Sequence, residues 1–405
     1  MLSMGFKGIV FCFLFLLGSL AGLAQQADGR INLADVTGKS DGLVRRIAVK
    51  SANGALERLM QNAFMTHGAY EVRSDAAVDF VFEFIPEGSG VTLVISSRSK
   101  ELLRESFLSG TLSEAAYAAA DLAVKRTVGL PGYFGSQLCF ISKRTGASEL
   151  YAGDLFFQGV RQLTRDRAIC VGPNFNPDGS RVLYTSYHRN GFPDIYSIDL
   201  KKNERTTFSS YRGMNTGATA SPDGRRVAMV LSGTGNSEIF VVNADGRQIQ
   251  RLTRSDALEA DPSWSPDGRK LIFTADDLGK PQIYMIGADG VGRRRIPTNI
   301  SRNCSEPIWN PVNPDLIVFT AAIGKEFELC TYSFSTQTST VISSGAGDAV
   351  EAVWLRDGRH LVFTERTKSQ SRLAILDTVT GKKSYLSPTN WGHCSMADAI
   401  YLGGR

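Results

Sequence analysis

Histidine is scarce in this sequence, and the side chains that usually mark an active centre are gathered nowhere. His67, His188, His360 and His393 stand far apart on different segments, so no two have the spacing of a metal-binding helix. The chain lacks Gly-x-Ser-x-Gly, Gly-x-x-x-x-Gly-Lys-Ser/Thr, Gly-x-Gly-x-x-Gly and His-Glu-x-x-His. With them go the nucleophile elbow, the phosphate loop, the dinucleotide fingerprint and the zinc-protease helix. Six cysteines are present, Cys12 near the N-terminus and then Cys139, Cys170, Cys304, Cys330 and Cys394, none at Cys-x-x-Cys or zinc-finger spacing. Most are expected to be buried, unpaired hydrophobes on strands, although an exported chain can form disulfides. The 45 basic and 40 acidic residues are interspersed, with a net charge of +5, so no nucleic-acid-binding stripe is present. After residue 24 no run is apolar enough to cross a bilayer, which takes about 20 residues.

What is present begins with an export signal. Lys7 precedes the apolar run Ile9 to Leu17, and small residues follow from Gly18 to Ala24, the layout that a signal peptidase reads. No cysteine follows them, which argues against a lipoprotein. Residues 1–24 are read as a signal peptide and 25–44 as a mobile arm rich in Gly, Asp and Thr, which puts the mature chain outside the cytoplasm. Residues 45–130 read as an α/β domain. Leu56, Leu59, Met60, Ala63 and Phe64 recur at helical spacing, and Thr111-x-x-Glu114 has the form of a capping box for an alanine-rich helix. Tyr70 to Val72, Asp79 to Ile85, Val91 to Ser97 and Leu102 to Leu108 read as strands. Leu130-Pro-Gly132 reads as a linker.

From residue 134 a repeat takes over. Phe175-Asn-Pro-Asp-Gly, Ala220-Ser-Pro-Asp-Gly, Trp264-Ser-Pro-Asp-Gly, Trp309-Asn-Pro and Trp354-Leu-Arg-Asp-Gly start at intervals of 45, 44, 45 and 45 residues. Proline followed by Asp-Gly makes a tight hairpin turn, and the period fits a propeller blade of four short strands. Second, third and fourth strands can be counted six times, but the first only five. The missing one is assigned to Met396–Leu402 and predicted to pair beside Gln137–Ser142, closing the ring and removing an open sheet edge. The fold class is mainly β: a six-bladed β-propeller over residues 134–402, preceded by a small α/β domain.

One set of polar residues recurs in register at the starts of the inner strands: Met214, Asn215 and Thr216; Glu259 and Asp261; Asn303 and Glu306; Asp348 and Glu351; and His393. Blade geometry gathers these positions around the channel mouth. They are expected to form one polar, mostly acidic ring of rim side chains that bury little. Loops on a rigid scaffold are where recognition usually resides, so the ring is read as a partner-binding site. The bland alternative is a solvated rim that merely caps strand ends. No catalytic residue, metal ligand or cofactor site is assigned, and His67 and His360 are read as structural.

The export signal, the α/β domain, the junction Gly132-Tyr-Phe-Gly-Ser-Gln-Leu-Cys-Phe-Ile-Ser142 and six blades with Ser-Pro-Asp-Gly-Arg/Lys turns together resemble the TolB family, periplasmic propellers of the Tol-Pal envelope system. The resemblance implies a non-enzymatic adaptor. Its partners would be a Pal-type peptidoglycan-associated lipoprotein over the channel mouth and a TolA-like inner-membrane protein at the N-terminal arm, acting in outer-membrane constriction at division. Asn215 in Met214-Asn-Thr-Gly217, Asp261-Pro262 and Glu306-Pro307 match the family's pattern on the Pal-facing loops; Met214 departs from it, standing where relatives often carry a polar residue. The arm is not a clear copy of the TolA-binding segment. Two rival readings are a lactonase-like metal-dependent hydrolase, which needs side chains converging on one ion at the mouth, and a glycan-binding propeller, which needs exposed aromatics there.

Overall fold

The computed structural model describes residues 44–403 apart from Ala76. The signal peptide and the arm, except Val44, lie outside the described residues.

The N-terminal domain is a five-stranded mixed sheet: β1 (Arg45–Lys50), β2 (Tyr70–Val72), β3 (Phe80–Glu87), β4 (Gly90–Ser97) and β5 (Lys100–Phe107), in the order β2-β1-β3-β4-β5. β1 runs parallel to both its neighbours, and the rest is antiparallel. Helices α1 (Gly54–Thr66) and α2 (Leu112–Thr127) bury their apolar faces with the sheet. Asn53 caps α1 by accepting the N–H groups of Ala55 and Leu56, and Thr111 with Glu114 forms the expected capping box on α2. Such caps satisfy the helix-end donors that have no partner within the helix. Ala115, Ala116, Ala119, Ala120 and Ala123 are completely buried, so α2 approaches the sheet with little side chain between them.

Six four-stranded antiparallel blades follow. The inner strands of blades 1 to 5 are Cys170–Phe175, Asn215–Ala220, Glu259–Trp264, Cys304–Trp309 and Asp348–Trp354. Blade 6 is composite. Cys394–Tyr401 pairs with Ser136–Ser142, running from Cys394 opposite Ser142 to Tyr401 opposite Ser136. Four of the hairpin turns are built alike: Asp178, Asp223, Asp267 and Asp357 each accept the N–H two residues on. The glycine between donor and acceptor adopts a φ of 64° to 71° in these turns, a region that costs most side chains roughly 1–2 kcal/mol. Trp264, Trp309 and Trp354 are buried, as are all five cysteines among the described residues, and those thiols are free.

The N-terminal domain seats on the turn end of blades 5 and 6, and one apolar cluster runs through both domains. Phe134 and Gly135 donate their N–H groups to Asp121 of α2 at 2.7 and 3.2 Å, and Tyr401 Oη donates to the same carboxylate at 2.8 Å. The end of the closing strand is thereby tied to the helix that precedes it by 280 residues. A β-carbon on Gly132 would lie 2.4 Å from Asp121 Cα, so this residue of the junction must be glycine for the chain to pass.

Candidate partner-binding face

Every inner strand starts at the channel end remote from the N-terminal domain. At that end lie two sets of loops: those entering each blade's inner strand, and those joining its second and third strands. The predicted residues all map there, but their side chains divide into three groups.

The first group is spent on holding loops. Asn215 is completely buried. Its Oδ1 accepts from Ser209 Oγ and Tyr211 N, both at 2.8 Å, and its Nδ2 donates to Tyr211 O at 2.7 Å and Gly213 O at 3.2 Å. An amide can give and take at once, so one side chain fixes the whole turn from 210 to 214. Glu259 is also buried; it accepts from Ser255 Oγ at 3.0 Å and from Arg293 Nη2 at 3.1 Å. Burial raises its carboxyl above the ordinary range. The expectation that the rim residues bury little is wrong for these two, because the turns entering blades 2 and 3 need an internal polar anchor.

The second group lines the channel. At the third position of five inner strands, and the fourth of Asp348–Trp354, the register shifts and the backbone turns left-handed: Gly172, Gly217, Asp261, Glu306, Glu351 and Met396 have φ between 51° and 63°. Glu306 Oε2 accepts the Glu351 N–H of the next blade at 2.9 Å, and Glu351 Oε2 accepts the Met396 N–H at 2.9 Å. Thr320 and Thr364 donate to the same two carboxylate oxygens at 2.7 and 2.6 Å. Between blades 3 and 4 the link runs through a hydroxyl. The Glu306 N–H donates to Thr274 Oγ1, which donates to Asp261 Oδ2, each at 3.1 Å. The three carboxylates thus form a ladder that stitches bulge to bulge around half the ring. Asp261 is exposed to the channel, yet protein surrounds the narrow space it faces; that desolvation raises its carboxyl to about 6, and the charge of Glu306 adds to the effect. Desolvation raises Glu351 as well, again with Glu306 contributing.

The third group stands at the rim. Met214 is exposed, while its N–H donates to Ser232 Oγ at 2.7 Å. Thr216 accepts from Thr185 Oγ1 of blade 1 at 3.2 Å. Asn303 is half-buried, and its backbone carbonyl accepts the Ala322 N–H at 3.0 Å. Asp348 pairs with Arg366 at 3.0 Å, and exposed His393 accepts the Ser371 N–H at 3.2 Å. The residues therefore make a channel ladder and a separate mixed rim, not one acidic ring. Reading residues singly missed Thr274, Thr320 and Thr364, although each closes the recurrent second-strand pattern of aromatic followed by Thr.

A family model described as the TolB beta propeller domain matches residues 124–397. The chain belongs to the TolB β-propeller family. The Tol-Pal system protein TolB of Desulfosudis oleivorans is 35% identical over 132 residues, 33% of this chain and 30% of that protein. The protein of the same name from Anaeromyxobacter dehalogenans is 32% identical over 149 residues, 37% of this chain and 34% of its own length. The matches thus span about a third of those relatives. The crystal structure of TolB from Acinetobacter baumannii superposes with a TM-score of 0.78 at 20% identity, covering 88% of this chain and 96% of that one, and so shares its fold.

In this TolB-family chain the other channel end is where titratable groups are buried together. His360 lies between Asp357 (Nδ1 to Oδ2, 2.5 Å) and Asp377 (Nε2 to Oδ2, 3.2 Å), and Arg359 grips Asp377 with two bonds of 2.8 and 2.7 Å. Burial alone would lower His360, but the two carboxylates outweigh it and hold the imidazole above its usual value. His67 of the N-terminal domain packs edge-on to that ring with centroids 4.5 Å apart. Desolvation first, and the His360 charge second, keep His67 neutral well below the ordinary histidine range.

Proposed function

We propose that this chain is a non-catalytic periplasmic adaptor of a Tol-Pal-like system. Its open propeller mouth binds the folded domain of a Pal-type peptidoglycan-associated lipoprotein and so supports outer-membrane constriction at division and envelope integrity. The observation that carries this reading is the asymmetry of the two channel ends: the N-terminal domain seats on blades 5 and 6 at one, and the other presents solvent-exposed loops of the blades. The relatives named Tol-Pal system protein TolB supply the system. A TolA-like inner-membrane protein is the second partner of this reading, met through the arm at residues 25–44. No nucleic acid and no direct membrane insertion enter it.

The hydrolase reading asks the channel carboxylates to converge on one ion. Glu306 and Glu351 instead each accept a hydroxyl and a neighbouring blade's N–H, which favours the adaptor. The glycan reading asks for exposed aromatics; the three blade tryptophans are buried, and among the described residues the large aromatic side chains exposed on the mouth loops are Phe192 and Tyr211. The test is calorimetric titration of the soluble domain of the Pal-type lipoprotein from the same genome into this protein. Saturable one-to-one binding is expected; no heat and no co-elution in gel filtration would contradict the reading.

A further inference from the structure

The mouth face is not uniform. Among the large apolar side chains that the described residues leave exposed, six lie on its loops: Ile169, Phe192, Tyr211, Met214, Leu258 and Leu278. All six belong to the loops of blades 1 to 3. The corresponding loops of blades 4 to 6, at 297–303, 324–325, 342–347, 367–370, 386–393 and 143–148, expose none of this size among the described residues; beside them stand Val341 and Tyr385, at the ends of the outermost strands of blades 4 and 5, the latter tied by its hydroxyl to Glu365 at 2.8 Å. Phe192 and Leu278 are 65% and 67% exposed, far beyond what packing of their own loops requires. Single exposed apolar residues are ordinary, but six on one half of one face are a patch of the kind that marks an interaction site.

Cations are interleaved with this crescent. Arg165 and Arg167 precede Ile169, Arg189 precedes Phe192, Arg212 separates Tyr211 from Met214, Arg254 precedes Leu258, and Lys280 follows Leu278. All six cations are exposed, and among the described residues no ion pair engages their side chains. At the crescent's edge, a groove of about 740 Å³ between blades 3 and 4 is lined by Lys280, Arg295 and Arg302 together with Leu278, Gln282 and Asn299, with no acidic residue in its wall. Arginine, tyrosine and methionine around an apolar centre is the composition of a protein-binding core. Its charge selects an acidic counterpart.

Resting on the adaptor reading above, we infer that the lipoprotein domain docks off the channel axis, on blades 1 to 3, through an apolar patch of its own bordered by carboxylates. The channel ladder of Asp261, Glu306 and Glu351 then lies outside the contact. A protein occupant fits better than an anionic bilayer because exposed Asp256, next to Arg254 and Leu258, sits within the crescent. That carboxylate would meet a lipid phosphate plane with repulsion, whereas a folded partner can place a donor opposite it.

The experiment titrates the soluble lipoprotein domain into wild type and three variants whose folding is confirmed by circular dichroism. Phe192→Ser/Leu258→Ser/Leu278→Ser removes the apolar crescent, Arg189→Glu/Arg212→Glu reverses its charge, and Lys325→Glu/Lys368→Glu makes the same reversal on blades 4 and 5. The first two are expected to weaken binding tenfold or more and the third less than twofold. Wild-type affinity in both crescent variants, or an equal loss in the control, would overturn off-axis docking while leaving the adaptor reading in place. Failure of wild type to bind the domain at all would overturn the adaptor reading and this inference with it. Binding to phosphatidylglycerol vesicles but not to the domain, lost in the crescent variants, would assign the face to lipid and overturn the inference.

Discussion

The two ends of the propeller handle polar groups in opposite ways. Where the N-terminal domain sits, buried charges are matched from inside: Asp377 lies against both His360 and Arg359, and Lys382 Nζ donates to Tyr70 O at 3.1 Å. At the mouth, Arg189, Arg212 and Arg254 stand exposed without an ion pair among the described residues, next to apolar side chains that face water. Buried charges without partners are costly, so a domain contact must be internally complete. A recognition surface is the reverse, because its partners have to come from another molecule. The contrast indicates which end holds the protein together and which is available to bind.

The largest stability effect is expected where the ionic network is buried. Asp377→Ala would leave Arg359 and His360 beside one another without their shared carboxylate, and should cost about 3–5 kcal/mol, measured by urea unfolding. Burial opposes the charge on Asp377, but the bonds from His360 and Arg359 hold its carboxyl well below the usual range. Its contribution should therefore be present above the ordinary carboxylate pKa and vanish as pH falls through the depressed value. Asn215→Ala tests the exception at the mouth end. It removes both ends of a buried amide that holds one loop, and should cost about 2–3 kcal/mol, with exposure of loop 210–214 seen by hydrogen exchange.

A smaller effect is expected in the channel. Asp261 and, in the closing strand, Asp398, which accepts the Phe175 N–H of blade 1 at 2.7 Å, are each raised to about 6 by desolvation, so between the ordinary carboxylate pKa and about 6 the folded chain binds more protons than the unfolded one. Stability from these groups falls as pH rises through that window. Asp261→Asn removes one titration, so its melting temperature should decline less than wild type's from pH 4 to pH 7. An identical pH profile would show that Asp261 ionises normally. The smallest change is expected at the exposed tips: Phe192→Ser should alter stability by no more than about 0.5 kcal/mol, and a larger loss would mean that the crescent is packed.

Repetition made the propeller legible. Proline-Asp-Gly at a fixed spacing announces both the hairpin and the blade, and the count of strands assigns the last segment to a place beside Gln137–Ser142, where it pairs. The α/β domain was legible because helical periodicity and a capping box are local signals. The mouth was legible as a location but not as a surface. Asn215, Glu259 and Asp261 look equivalent in sequence, yet one anchors a turn, one is buried against Arg293 and one faces the channel. The fate of Asp261 depends on a bulge with left-handed backbone and on the Thr274 hydroxyl 13 residues on, and those of Asn215 and Glu259 on Ser209 and Ser255 in the loops just before them, none of which hydrophobic periodicity displays. The pairing of His67 with His360 was hidden too, since domain docking brings together residues that no periodic signal connects.

The central claim is that the open mouth recognises a partner while the opposite end serves the fold. Hydrogen exchange of this protein with and without the soluble lipoprotein domain tests it most directly. The account predicts new protection in loops 163–169, 187–193, 210–214 and 253–258, with 355–360 and 377–382 unchanged. Protection confined to the latter segments, or to the N-terminal domain, would contradict it.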